Sequence, residues 1–242
     1  NGNKCWSTGA HVADYALVFC RFGKASGAKG IGAFVVDLKK PGARIGHISL
    51  KMGGRGLTEA EIILENYKAG PEDVLVEGDP KSSRSFALLM SSFGPERVGN
   101  AAMCVGLAQG AFEAAKSYSE IRHQFGRPIK EFQGLQWKIA DMATQLHAAR
   151  LMVYRAATNP APNGFPDPMD ATMAKLYANE MAQRVTNDAL QIHGHNGYTR
   201  EYPLERMVRD ARGFALGGGT VEILRNTIAA MVYGHSFNQR RG

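Results

Sequence analysis

Apolar periodicity changes once along this chain, from two residues to between three and four, and Gly78-Asp79-Pro80 stands at the change. Such a chain is expected to fold as a sheet region followed by a helical region, because strands present alternate residues to one face and helices every third or fourth. Before the break, Tyr15 to Phe22 and Ile31 to Asp37 are β-rich runs, and the turn-like Lys24-Ala25-Ser26-Gly27-Ala28-Lys29-Gly30 between them predicts a hairpin. Pro41-Gly42 interrupts again ahead of Ala43 to Leu50. From Leu57 to Tyr67, Glu59, Glu61 and Glu65 alternate with Ala60, Ile62 and Leu64, so that strand has one wet face.

After the break, Phe132, Leu135, Ile139, Met142, Leu146, Ala149 and Val153 follow a 3-4-3-4 spacing over several turns, the seam of a long helix packed lengthwise in a bundle. Two more long helices are expected, from about 95 to 122 and from about 168 to 193. The prolines of Asn159-Pro160-Ala161-Pro162-Asn163-Gly164-Phe165-Pro166 make a connecting loop. Shorter helices follow near 204 to 212 and from about 220 to 233. The expected class is α+β: part of an antiparallel β-domain over residues 1–76, then an all-α, four-helix-bundle-like domain over 77–242.

At 242 residues and 44% apolar content, the chain can bury a sizeable core. Its net charge of +7 comes from Lys and Arg scattered among acids, not from a basic stripe with interleaved aromatics, so nucleic acid is not an expected partner. No apolar run is long enough for a membrane span, and Asn1-Gly2-Asn3-Lys4 lacks a signal-peptide layout. Cys5, Cys20 and Cys104 are odd in number and far apart, which favours neither disulfides nor a metal site. A reducing compartment, the cytoplasm or a mitochondrial matrix, fits that usage.

Several motifs stand in a fixed order: Arg122-His123-Gln124-Phe125-Gly126-Arg127-Pro128-Ile129, Phe132-Gln133, Gln191-Ile192-His193-Gly194-His195-Asn196-Gly197-Tyr198, Glu201-Tyr202-Pro203-Leu204-Glu205-Arg206, Arg209-Asp210-Ala211-Arg212 and Gly217-Gly218-Gly219-Thr220. In order and spacing they resemble the flavin-dependent acyl-CoA dehydrogenase family. The resemblance covers nearly the whole chain, which matches the family's middle β-domain from within and its C-terminal helical domain. The family's earlier Thr-Glu-Pro and Gly-Ser-Asp flavin segment does not occur among these residues, so the chain is read as a fragment or as one part of a split enzyme.

The resemblance implies an FAD cofactor, an acyl-CoA substrate, an electron-transfer flavoprotein as electron acceptor and a homotetramer. It places Trp6 against one face of the flavin ring, with Ser7 and Thr8 near N5 and O4. Arg122, Gln124 and Phe125 would hold the pyrophosphate and adenine end of a neighbouring subunit's FAD, an Arg being able to offer paired donors to phosphate oxygens. Read alone, Arg122 is better taken as a cation at a helix C-terminus, and it is the following Gln-Phe-Gly and the later motifs that turn the reading to the flavin. Gln191, Ile192, Gly194, His195 and Asn196 would form a second flavin-binding turn, although the family usually has a second glycine where His195 stands. Thr220 and Glu222 would sit near the ribose and phosphates, and Thr220 also reads as a helix N-cap.

The family's Glu-Gly-Thr is Gly218-Gly219-Thr220 here, so the carboxylate that removes the α-proton in many members is missing. In the isovaleryl-CoA and long-chain acyl-CoA dehydrogenases the base lies instead on the preceding long helix, in a Glu-Arg pair, and Gly94-Pro95-Glu96-Arg97-Val98 matches that place. Glu96 is therefore the candidate base, with Arg97, Gly218 and Gly219 beside the substrate. An acid after a proline in a first helical turn also serves as a dipole partner. Two further functions stay open: a relative acting as oxidase or reductase on another CoA ester, and a non-catalytic partner subunit of a heteromeric enzyme.

Overall fold

The structure, a computed structural model, describes residues 1–235 and 237. It divides into two compact units, Asn1–Ser92 and Phe93–Gly242. The first holds strands β1 (Gly2–Thr8), β2 (Tyr15–Arg21), β3 (Ile31–Asp37), β4 (Ala43–Ile48), β5 (Glu59–Leu64) and β6 (Val74–Val76), then helix α1 (Arg84–Ser91). They form two antiparallel three-stranded sheets, ordered β1-β5-β4 and β2-β3-β6. The predicted hairpin is β2-β3, in unbroken register from Tyr15 opposite Asp37 to Arg21 opposite Ile31.

The alternation in β5 works as its sequence requires. Ala60 and Ile62 are buried with Ala10, while Glu59 accepts a hydrogen bond from the Thr8 hydroxyl at 3.0 Å. In β1 the register shifts between Lys4 and Ser7, and Trp6 takes a left-handed φ of 57°. Such a bulge re-aims a side chain and leaves the Trp6 indole exposed. The segment at the change of period stays with the sheets: Gly30 N–H donates to Asp79 O at 2.8 Å, and the Ser85 hydroxyl donates to Glu77 O at 2.7 Å. Compact packing therefore changes hands at Ser92/Phe93, after α1, some residues beyond Gly78-Asp79-Pro80 where the pattern changes.

The second unit holds helices α2 (Phe93–Ile121), α3 (Gln133–Thr158), α4 (Pro168–His193), α5 (His195–Tyr198), α6 (Leu204–Phe214) and α7 (Val221–Tyr233). A hairpin of β7 (His123–Gln124) and β8 (Arg127–Pro128) follows α2. The α3 seam is buried as its spacing predicts, fully at Met142, Leu146, Ala149 and Val153 and partly at Phe132, Leu135 and Ile139. Each of the larger residues contributes roughly 1.5–3 kcal/mol by leaving water. α4 lies at the centre, against α2, α3, α6 and α7. Its start is fixed by Pro168 and by Asp167, whose carboxylate accepts from the N–H groups of Met169 and Asp170 at 2.9 and 3.0 Å.

Candidate functional site

Glu96 sits in the first turn of α2, and the turn before α7 comes up against it. A Cβ on Gly218 would lie within 2.7 Å of Glu96 Oε2 and closer still to Oε1, so the carboxylate fills the space a side chain at 218 would need. Gly218 and Gly219 have φ of 65° and 93°, a left-handed turn open to glycine at little cost. Beneath that turn lies Lys175 of α4, fully buried. Its ammonium donates to the carbonyls of Gly217 at 2.9 Å, Gly219 at 3.1 Å and Phe214 at 3.4 Å, and to Asn179 Oδ1 at 3.2 Å.

Removal from water pushes the Glu96 carboxyl above its ordinary range, and the positive charges of Lys175 and Arg97 pull it back down. Loss of water pushes Lys175 below the ordinary lysine value, opposed by Glu96. Desolvation and opposite charge thus act against each other at both groups. Arg97 donates to the Thr172 hydroxyl at 3.1 Å, while its Nε is buried with no hydrogen-bond partner among the described residues. Asn179 Nδ2 donates to Asn100 Oδ1 at 2.8 Å and to Cys104 Sγ at 3.1 Å, which joins α4 to α2 below the site.

A second cluster gathers at the other end of α2. Arg122 N–H closes the helix on Tyr118 O at 2.9 Å, and Ile129 N–H returns to Arg122 O at 2.8 Å. Between them Phe125 and Gly126, with φ of 51° and 81°, make the two-residue turn of a hairpin, a geometry that demands positive φ at both positions. Phe125 is 92% exposed, and the side chains of Arg122 and Gln124 also face solvent. The end of α4 meets this cluster: Asn196 Nδ2 donates to the Tyr118 hydroxyl at 2.9 Å, and the buried His193 ring stacks on Tyr118 at 4.3 Å.

Gly194 ends α4 with φ 59°, its N–H donating to Gln191 O at 3.0 Å; Ile192 is buried, while Gln191 and His195 are exposed. At α7 the Thr220 hydroxyl accepts from Ile223 N–H at 3.4 Å. The adjoining Glu222 carboxyl is held low by its own backbone N–H and by Thr220.

The structure thus brings Glu96, Arg97, Gly218 and Gly219 together, with Thr220 and Glu222 following in chain. It gathers Arg122, Gln124, Phe125, Gln191, Ile192, Gly194, His195 and Asn196 separately. Twenty-six residues of helical rise, about 39 Å, part Glu96 from Arg122. Trp6, Ser7 and Thr8 belong to the first unit, on β1. Sequence reasoning missed Lys175, Asn179 and Thr172. Their signal was a polar stripe at 172, 175, 179, 186 and 193 along one face of a helix that turns out to be central.

Residues 1–67 match the model of the acyl-CoA dehydrogenase middle domain, and residues 85–233 that of the C-terminal domain. Over its whole length the chain is 47% identical to a 3-sulfinopropanoyl-CoA desulfinase of Paraburkholderia xenovorans, spanning 61% of that protein. It is 41% identical, over 95% of its length and 60% of the relative's, to a 3-(aryl)acrylate reductase of Clostridium sporogenes. Among solved structures, butyryl-CoA dehydrogenase from Megasphaera elsdenii superposes with a TM-score of 0.89 at 35% identity, covering 96% of this chain and 60% of that one. The chain therefore spans about three fifths of the length of these relatives.

Proposed function

Because the chain belongs to the acyl-CoA dehydrogenase family, we propose that it serves α,β-dehydrogenation of an acyl-CoA thioester, with Glu96 as the base that takes the Cα proton. The observation that carries this reading is the contact of the Glu96 carboxylate with Gly218, the position where many members keep their glutamate. A carboxylate reaching that point from α2 can meet the same α-carbon. Partial loss of water at the carboxyl makes it a stronger base than an open surface glutamate, although the residue still exposes part of its surface, and an acyl chain that expels more water would strengthen it further.

FAD is the group that accepts the Cβ hydride when bound. The donors available suit its phosphates: the Arg122 and Gln124 side chains are exposed at the end of α2 and on the hairpin that follows it. The 39 Å or so along α2 is further than one flavin dinucleotide extends, which supports a flavin shared between neighbouring subunits of a homotetramer. In that arrangement Thr220 and Glu222 serve the flavin at the chain's own base, while Trp6, Ser7 and Thr8 of β1 are flavin contacts by the family pattern. Arg122, Gln124, Phe125, Gln191, Ile192, Gly194, His195 and Asn196 serve the next one. An electron-transfer flavoprotein would take the electrons onward.

Glu96→Gln in the full-length protein tests the base. The expected result is a folded, flavin-loaded protein whose flavin is bleached by a saturated acyl-CoA about 10² to 10⁴ times more slowly in stopped flow. Bleaching at the native rate would leave Glu96 as a helix-end acid. The identity to a desulfinase supports a second reading, in which the same acyl-CoA site cleaves the Cβ–S bond of a β-sulfino acyl-CoA with water, leaving a C–H bond at Cβ and sulfite as the other product. Turnover of a β-sulfino acyl-CoA without net flavin bleaching, and no bleaching by saturated acyl-CoA, would favour that reading.

A further inference from the structure

We propose that Lys175 is the positioning residue of the Glu96 site: its buried ammonium pins the glycine turn on which the carboxylate rests and supplies the fixed positive charge beneath it. The proposal rests on Glu96 being the working carboxylate. Its geometry is independent of that role. Lys175 is completely buried, yet no carboxylate lies within ion-pair distance of it among the described residues. Three N–H donors instead meet four oxygens, three of them carbonyls of the single segment 214–219.

A lysine is seldom buried unless its charge is matched. Here carbonyl dipoles solvate the cation and the nearby Glu96 carboxylate balances it. A neutral side chain of similar length could fill the space but not hold three carbonyls together. Those carbonyls shape the turn in which Gly218 keeps φ 65° and leaves room for the carboxylate. The charged and titratable groups whose fields reach Lys175 are Glu96, Arg97 and Cys104, all on α2; the last residue of α6 and the turn after it contribute carbonyl oxygens. The groups acting on Glu96 are Lys175 and Arg97. Arg97 is only partly buried, so its charge is the better screened of the two.

The test follows the Glu96 carboxyl directly, by infrared titration of the full-length protein, with the Glu96→Gln spectrum subtracted to isolate its band. Lys175→Met should raise the midpoint of that band by about one pH unit or more, since a nearby opposite charge holds a carboxyl down by that order. The pH profile of flavin reduction should move upward with it, because the base is active only when ionised. Lys175→Gln removes the charge while keeping a hydrogen-bond donor for the turn carbonyls. Its midpoint should rise in the same direction, and it decides the matter alone should Lys175→Met fail to fold. An unchanged midpoint in either folded variant would overturn the proposal and reduce Lys175 to a packing residue. Because the midpoint does not depend on turnover, this result stands apart from whether Glu96→Gln slows flavin reduction.

Discussion

At the residue scale the site depends on a vacancy matched to an acid. Gly218 has no Cβ, and the Glu96 carboxylate occupies that volume. Gly218→Ala should therefore act on function before fold. The methyl would meet the end of a flexible side chain and not backbone, so the carboxylate should swing aside. Strain at φ 65° would add about 1–2 kcal/mol of destabilisation. The expected outcome is a folded protein with a modestly lower melting temperature and at least tenfold slower flavin reduction. Native rates in Gly218→Ala would show that the carboxylate's present position is not the working one.

At the scale of elements, α2 and α4 pack through small side chains. Ala101, Ala108, Ala111 and Ala115 on one helix and Ala174, Ala178, Ala182 and Ala189 on the other are all fully buried. Close approach of this kind has no slack, so Ala178→Leu should destabilise the second unit by about 1–3 kcal/mol in urea unfolding. No change in the urea midpoint would mean that the interface can open without loss. The helices, the β2-β3 hairpin and the wet face of β5 were legible because one apolar period governs each. α1 was not, since Arg84–Ser91 is short and packs against β3 after the change of pattern. The floor of the site was hidden for a related reason. Lys175, Asn179 and Thr186 look like a solvated stripe until α4 is seen to be enclosed, where each polar atom finds a partner inside.

At the scale of the whole molecule, the proposal makes the two clusters at opposite ends of α2 serve different flavins, and Arg122 is where that can be tested. Arg122→Ala in the full-length protein should then weaken both FAD binding and assembly. A charge-assisted phosphate contact is worth about 1.5–3 kcal/mol, or roughly ten- to 150-fold in affinity. Unchanged FAD affinity together with unchanged mass in solution would make Arg122 a helix-end cation and no more. The proposed role of Glu96 is tested most directly at the α-proton itself. An acyl-CoA analogue with sulfur at position 3 has no β-hydrogen to give, so proton removal can be observed apart from hydride transfer. Incubated in heavy water with the flavin-loaded full-length protein, this analogue should gain deuterium at its α-carbon, and the gain should fall at least a hundredfold in Glu96→Gln. Equal deuterium incorporation by the two proteins would contradict the assignment of Glu96 as the base.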